Sequence, residues 1–267
     1  MDDRNMAIIP GPRGPGPAIT RAGPPSARLL LQFAAVAILA LVSTVHVRAG
    51  PFEDAQAAQA KGDHGTAARI YRSLADQGNV AALTQLGILY RLGRGVPKDL
   101  DEAMDMLRRA ASLGSVGAQF QVGDMYLRGQ GVEQDLLEAA RWYTRAAEQG
   151  HPVAQYSLGV LYKLGGGVRK SSARSVKWLA RSAVQGVPEA QYELGLSYAS
   201  GAGHKKDFVA AYKWLSLARA AASDSSTRTR AAQAAANVER KMTSEQVAAA
   251  REQIREWQPT RERGAAS

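Results

Sequence analysis

The sequence predicts an all-α fold in which helix-turn-helix repeats stack into an α/α solenoid. Single glycines recur every 36 residues, at Gly87, Gly123, Gly159 and Gly195. Tyrosines keep the same step, at Tyr90, Tyr126, Tyr162 and Tyr198. Pairs of glycines follow at the same period, beginning with Gly93 and Gly95. A fixed period between about 20 and 50 residues is typical of stacked repeat arrays, so the length of 267 residues is best read as an array with two ends.

The N-terminal end, residues 1–49, is predicted to be a disordered stretch followed by an export signal or membrane anchor. Residues 1–28 are rich in Gly and Pro and carry four Arg against two Asp, so no packed structure is expected there. An apolar run then covers residues 29–47, densest from Leu29 to Val42, and ends at Val47-Arg48-Ala49. A charged segment, an apolar core and a small-residue exit are the layout of an export signal.

The length of the apolar run leaves two outcomes open. Fourteen helical residues reach about 21 Å, and extension to Val47 gives about 28 Å, against a hydrocarbon core of about 30 Å. Cleavage after Ala49 is preferred, and an uncleaved anchor through residues 29–47 is the alternative. In both cases the preceding arginines hold the N-terminus in the cytoplasm and the rest of the chain is exported. The expected location is the periplasm or cell envelope.

Residues 50–80 are predicted to form a shorter first unit, with an Ala-rich helix, a tight turn from Gly62 to Gly65 and a second helix that carries Ile70 and Tyr71. Four full repeats follow, at residues 81–116, 117–152, 153–188 and 189–224. Each is predicted to contain two helices joined by a glycine-rich turn.

The recurring residues predict how each repeat is built. A glycine in the middle of the first helix costs up to about 1 kcal/mol relative to Ala, and its recurrence indicates a close approach of another helix. Gly114, Gly150 and Gly186 stand where a left-handed residue ends a helix. Acidic pairs with capping-box spacing are predicted to start two of the second helices by reciprocal hydrogen bonds: Asp99 with Glu102, and Asp135 with Glu138. Trp142, Trp178 and Trp214 are predicted to fill the space between hairpins.

The period stops after Ala222, and residues 225–258 are predicted to form a two-helix cap. Arg228–Met242 and Thr243–Trp257 each place apolar residues on one face, and Thr243 with Gln246 has capping-box spacing. Repeat arrays need an end piece with a polar outer face, which this pair supplies. Residues 259–267 are expected to be a disordered tail.

The repeat strings resemble a known family. AQFQVGDMYLRGQGV, AQYSLGVLYKLGGGV and AQYELGLSYASGAG, each followed by a second helix with a Trp, resemble the Sel1-like repeats of the tetratricopeptide-repeat (TPR) superfamily. The resemblance covers about Phe52 to Ala222, departs at Leu83, Thr84 and His204, and implies a TPR-like superhelix. It further implies an adaptor or scaffold for protein-protein interaction, in some relatives a regulator of a sensor kinase. The absence of Gly at Ala222 predicts that the last repeat ends differently.

No residue pattern predicts a catalytic, cofactor or metal site. The chain has no Cys, and its four His have no ligand spacing. The loop Gly93–Lys98 lacks the Gly-Lys-Ser/Thr ending of a phosphate loop and recurs at the period, which favours a turn. The net charge of +10 is spread along the chain without an aromatic-basic platform, so no specific nucleic acid is expected.

A stripe of variable residues on the first helices is the predicted site for a protein partner on the concave face. At about 100° per residue these positions lie opposite the recurring Ala, Leu, Gly and Tyr. We call them the variable stripe: Gln85, Ile88, Leu92, Gln121, Asp124, Arg128, Ser157, Val160, Leu164, Glu193, Leu196 and Ser200. A packing face should repeat and a recognition face need not; the alternative is that these positions face solvent or complete the core between repeats.

The leading functional hypothesis is an exported, non-catalytic adaptor of a bacterial-type envelope. Two alternatives from other classes remain: an enzyme or accessory factor that acts on cell-wall glycan or exopolysaccharide, and a basic protein that binds anionic polymer. Turnover of wall fragments would indicate the first alternative, and polymer binding that is lost at moderate salt would indicate the second.

Overall fold

The computed structural model describes residues 50–262, which form twelve α-helices and no strand within that range. The first unit contains α1 (Pro51–Ala60) and α2 (His64–Asp76). The four repeats contain α3 (Val80–Leu92) and α4 (Leu100–Ser112), α5 (Val116–Arg128) and α6 (Leu136–Glu148), α7 (Pro152–Leu164) and α8 (Ser172–Val184), and α9 (Pro188–Ser200) and α10 (Phe208–Ala221). The C-terminal pair is α11 (Ser225–Glu239) and α12 (Ser244–Arg255). The predicted all-α solenoid of helix-turn-helix repeats is confirmed.

From α1 to α11 each helix packs against the next in chain order, as a solenoid requires. The glycine in the middle of each first helix lies against the second helix of the same repeat. A Cβ at Gly159 would lie 2.9 Å from Cγ of Leu179, and one at Gly195 would lie 2.7 Å from Cγ of Leu215. These distances are shorter than a carbon-carbon contact, so the predicted close approach is confirmed.

The glycine-rich turn of each hairpin lies in close contact with the hairpin before it. Gly167 has a φ of 68°, and a Cβ there would lie 2.0 Å from the carbonyl oxygen of Leu136 in the preceding repeat. Gly95, at the same place in the first turn, has a φ of 73° and a Cβ position 2.2 Å from the carbonyl of His64. This position of the turn therefore requires glycine for two reasons, the left-handed backbone and the close contact with the preceding hairpin.

The two second helices with a predicted capping box differ from that prediction in one bond. Asp135 accepts from the backbone N–H groups of Leu137 (2.8 Å) and Glu138 (3.0 Å), as predicted. The reciprocal bond is not formed, because the N–H of Asp135 donates to the carbonyl of Tyr126 instead (3.1 Å). Glu138 pairs with Arg141 (2.5 Å).

The same backbone bond closes the turn in every repeat, because the N–H groups of Asp99, Ser171 and Asp207 donate to the carbonyls of Tyr90, Tyr162 and Tyr198. The prediction of a capping box at Asp99 and Glu102 was therefore wrong in the same respect. Ser171 caps α8 through the N–H of Arg174.

The tryptophans occupy two environments. Trp214 is buried and meets the ring of Trp257 edge-on, with centroids 6.3 Å apart. Trp142 and Trp178 are half-buried against the core, and the guanidinium groups of Arg145 and Arg181 lie over their rings. They therefore fill space between hairpins, as predicted, but with an arginine above them.

The C-terminal pair closes the end of the array. Ser225 starts α11 three residues before the predicted start, because the Asp224 side chain accepts from the N–H of Thr227 (2.7 Å). The predicted capping box at Thr243 and Gln246 is formed. α11 packs on α9 and α10, and α12 packs on α10.

The chain continues past α12 in an ordered path. The N–H of Thr260 donates to the carbonyl of Val184 (2.9 Å), and Glu262 pairs with Arg181 (2.5 Å). The expectation of disorder from residue 259 onward therefore differs from the structure for residues 259–262, because a carboxylate in the segment finds a cation on repeat 3. Residues 263–267 lie outside the described residues, as does the N-terminal segment 1–49 with its predicted signal or anchor. Within residues 50–262 no helix combines the length and apolar character needed to cross a membrane.

Candidate protein-interaction site

The variable stripe lies on the four first helices, but its members differ in exposure. Most are half-buried, whereas Leu92 is 45% exposed and Leu164 is 69% exposed. Arg128 and Ser200 are also exposed. The stripe is therefore not one continuous surface.

The N-terminal part of the stripe lines a groove formed mainly by α1, α3 and α5. Gln85, Ile88 and Gln121 lie in its wall, and its volume is about 560 Å3. The exposed residue Ala81 of α3 also lines the groove. Three of the predicted residues are thus brought together around one concavity.

The groove also has aromatic walls that sequence reasoning did not select. Phe52 of the first unit and Phe120 of α5 line it, and each packs partly against the core. His151 lies beside them, with its ring 4.7 Å from that of Phe120 in a stacked arrangement. Neither ring had a distinct signal in the sequence, because Phe120 corresponds to Tyr156 and Tyr192 in the later repeats and Phe52 lies outside the period.

His151 serves the fold as well as the groove. Its Nδ1 accepts from the N–H of Ala154 (3.1 Å), which caps α7. Burial lowers the pKa of the His151 side chain, so the neutral form that can accept this bond is favoured.

Gln121 lines the groove and carries a side-chain oxygen that finds no donor in the part of the chain that the structure describes. Its Oε1 is shielded from solvent and receives no hydrogen bond from residues 50–262. A buried acceptor without a donor costs about 1–3 kcal/mol, and a donor from a bound molecule would remove that cost. The polar atom and the aromatic walls together suit an extended peptide, which offers both backbone N–H groups and apolar side chains.

The middle of the stripe is used to join repeats. Asp124 accepts from Arg91 of the preceding repeat (3.0 Å) and from Arg128 (2.8 Å). The side chains of Arg91 and Asp124 are only 16% and 14% exposed, and Arg91 also donates to Gln130. The hydrogen bond that Arg128 donates to Asp124 raises the pKa of Arg128. This cluster links repeats 1 and 2, so Asp124 and Arg128 are tied to each other before any partner binds.

In the third repeat, the residues of the stripe range from half-buried to exposed. The Ser157 hydroxyl lies near that of Tyr143, whose pKa is raised mainly by burial. Val160 is half-buried, and Leu164 projects from the end of α7. Lys163 pairs with Glu193 of the next repeat (2.6 Å).

In the fourth repeat, Leu196 of the stripe is covered by the cap. Leu196 packs against the cluster that contains Ala235 and Val238 of α11. Ser200 donates to the carbonyl of Leu196 within its own helix (2.9 Å). Leu196 therefore contributes to the contact between array and cap.

The residues that could carry chemistry stay apart. Within residues 50–262 no group of three or more His, Cys, Asp or Glu side chains has metal-site geometry. The Gly93–Lys98 loop forms the turn described above, with Gly93 and Gly95 in left-handed conformations.

Comparison with known proteins identifies the class. The family model described as Sel1 repeat matches residues 80–115, 116–151, 152–187 and 188–223, and the chain belongs to this family. Each matched range begins one residue before the range predicted from the sequence. Proteins of this family are typically non-catalytic repeat scaffolds that bind protein partners.

Two solved structures illustrate the likeness. One is c5321, a protective antigen of uropathogenic Escherichia coli strains with an SLR fold, at 30% identity over 72% of this chain and 40% of that chain, with a TM-score of 0.64. The other is a Sel1 repeat protein from Oxalobacter formigenes, at 32% identity over 64% of this chain and 49% of that chain, with a TM-score of 0.58. The chain therefore spans less than half the length of either. A search of curated protein sequences found no match.

Proposed function

We propose that this protein is an exported, non-catalytic adaptor of the bacterial envelope that binds an extended segment of a partner protein in the groove between α1, α3 and α5. The observation that carries the proposal is the combination of aromatic walls with the unsatisfied Oε1 of Gln121. A peptide would bury apolar side chains against Phe52 and Phe120 and donate a backbone N–H to Gln121.

The Sel1 repeat family supports the class of protein proposed, and the residues of the groove support the proposed binding site. Groove residues differ between repeats: Ile88 corresponds to Asp124, Val160 and Leu196 in the later copies. Such variation suits recognition of one partner rather than maintenance of the stack. A regulatory role, in which the bound segment belongs to an envelope sensor, is the more specific version of the same proposal.

The groove can be tested by site-specific photocrosslinking in the native host. A photoreactive residue at Ala81 or Gln85 lies at the groove, whereas one at Asp105 or Lys177 lies on an exposed part of a second helix. We expect one discrete adduct from the groove positions, absent from the control positions and reduced by Ile88→Glu. Equal adducts from all four positions, or none from the groove, would contradict the proposal.

Export is supported by the apolar run at residues 29–47 and by the small residue at Ala49. Cell fractionation with mass spectrometry of the N-terminus tests it. A mature chain that begins at Gly50 in the periplasm is the preferred result, and an intact chain in the membrane fraction would indicate the anchor. Recovery of the intact chain from the cytosol would reject export.

A further inference from the structure

The segment after α12 is held by repeat 3 as a bound peptide would be. The Glu262 carboxylate accepts from Nε (2.9 Å) and Nη2 (2.5 Å) of Arg181 and from Nε2 of Gln155 (2.9 Å). The N–H of Glu262 is directed at Oε1 of Gln185 (3.4 Å), and the N–H of Thr260 donates to the end of α8. A forked guanidinium on a carboxylate, supported by backbone bonds, is a strong recognition geometry.

The three side chains that hold Glu262 are fixed by their own contacts. We call Gln155, Arg181 and Gln185 the repeat-3 cradle. Gln155 is fully buried, its Nε2 also donates to the carbonyl of Ala147 (3.1 Å), and its Oε1 accepts from Gln185 (2.8 Å). The Arg181 guanidinium lies 4.7 Å from the ring centre of Trp178. These side chains therefore lose little conformational freedom when they bind a carboxylate.

The same arrangement occurs one repeat earlier. Gln119, Arg145 and Gln149, which we call the repeat-2 cradle, stand 36 residues before their counterparts. Nε2 of Gln119 donates to the carbonyl of Ala111 (3.3 Å), and Gln149 donates to Oε1 of Gln119 (2.8 Å). The Arg145 guanidinium lies 4.3 Å from the ring centre of Trp142. Arg181 and Gln155, the two side chains that donate to the Glu262 carboxylate, thus have equivalents in Arg145 and Gln119, which are held in position by the same contacts.

The remaining repeats lack the set, so it is not a requirement of stacking. In repeat 1, Leu83 and Leu113 replace both glutamines around Arg109. In repeat 4, Leu217 replaces the arginine and Ala221 the second glutamine, which leaves Oε1 of Gln191 buried without a hydrogen bond from residues 50–262.

We propose that the repeat-2 cradle binds a glutamate side chain from an extended segment of a partner protein, as the repeat-3 cradle holds Glu262. Arg145 is exposed and takes part in none of the ion pairs formed within residues 50–262. The exposed Glu148 lies in the same helical turn as Arg145 and carries the same charge as the proposed glutamate ligand. Glu148 also raises the pKa of Arg181, and Arg181 nevertheless binds the carboxylate of Glu262. This site is separate from the groove between α1, α3 and α5.

A peptide of the chain's own sequence is a defined probe. The synthetic peptide Trp-Gln-Pro-Thr-Arg-Glu, equivalent to residues 257–262, would be capped, fluorescently labelled and titrated into the full chain up to about 1 mM, with binding followed by anisotropy. We expect Arg145→Gln to weaken binding about tenfold or more, which is the effect of losing a charge-assisted hydrogen bond. A peptide that ends in Gln instead of Glu should lose a similar factor.

The matched control is Arg109→Gln, which removes the same charge at the same position of repeat 1, beside Leu83 and Leu113. It should leave binding unchanged. If Arg109→Gln and Arg145→Gln weaken peptide binding equally, the effect comes from the overall charge of the protein, and the proposal is wrong. If Arg181→Gln weakens peptide binding and Arg145→Gln does not, the peptide binds in the repeat-3 cradle, and the proposal is rejected. If the peptide does not bind at all, the repeat-2 cradle is not a site, and the proposal is also rejected.

Discussion

The four repeats from Val80 to Ser223 and the C-terminal segment from Asp224 to Glu262 are held in place by different kinds of contact. In the repeats, glycines and small apolar residues place one helix against the next at the same positions every time. In the C-terminal segment, the ring of Trp257 meets that of Trp214, and the carboxylate of Glu262 is held by Arg181 and Gln155. The period therefore encodes the stack, whereas the end depends on individual residues.

The comparison predicts that stability is concentrated at the repeated positions. Leu179 is fully buried against Gly159, and Leu179→Ala should lower the free energy of unfolding by about 2–5 kcal/mol through lost burial and the cavity left behind. Leu164, in the same repeat, is largely exposed, so Leu164→Ala should change it by less than about 0.5 kcal/mol. Urea unfolding followed by circular dichroism measures both, and similar effects from the two variants would contradict this view.

A second prediction compares two glycines within helices. A Cβ at Gly159 would overlap Leu179, so Gly159→Ala should destabilise the protein by about 1–3 kcal/mol. A Cβ at Gly65, in the first turn of α2, meets only the Asp63 side chain at 3.9 Å, so Gly65→Ala should stabilise by about 0.4–1 kcal/mol. The urea midpoints should move in opposite directions, and movement in the same direction would remove the steric explanation.

A third prediction concerns the anchor of the C-terminal segment. Trp257 is half-buried, so Trp257→Ala should cost about 1–2 kcal/mol, less than the 3–5 kcal/mol expected for a fully buried Trp. Hydrogen exchange should rise in α12 and leave α5 unchanged, because only α12 depends on this contact. Increased exchange throughout the array would indicate that the cap supports all repeats.

The smallest predicted effect is the pH dependence of the docked tail. The hydrogen bond from Arg181 lowers the pKa of Glu262 from its ordinary value of 4.5. A carboxyl whose pKa is lowered by binding stabilises the bound form above its ordinary pKa, and this contribution disappears as the pH falls through the lowered value. The amide signal of Thr260 should therefore shift on acidification below about pH 4.5 in the wild type. Glu262→Gln should show the shifted signal at neutral pH, and a pH-independent wild-type signal would contradict the assignment.

The sequence was sufficient for features that recur. Gly159 and Gly167 were identifiable from spacing alone, because steric requirements of a stack act identically in each copy. The backbone bond from Asp135 to Tyr126 was not foreseen, because it depends on the path of the turn and not on a side-chain type. Leu196 showed the apolar pattern of a surface site, and only the direction in which α11 folds back reveals that it is covered.

Contacts between distant residues were beyond sequence reasoning for a similar reason. Arg181 and Glu262 are 81 residues apart, and neither stands out among the chain's many charges. The groove was identified in part, since Gln85, Ile88 and Gln121 were selected, while Phe52 lies outside the periodic frame and was missed.

The central claim is that repeated residues hold the stack while the variable residues of the groove bind the partner, and Gln121 tests it most directly. Gln121→Met removes a buried acceptor that lacks a donor in residues 50–262, so it should leave the free energy of unfolding unchanged or raise it by up to about 1 kcal/mol. The yield of the photocrosslinked adduct from Ala81 should fall in the same variant. Measurement of both quantities on one preparation is decisive: retained stability with lost crosslinking is the predicted result, and lost stability with retained crosslinking would assign Gln121 to the core and contradict the account.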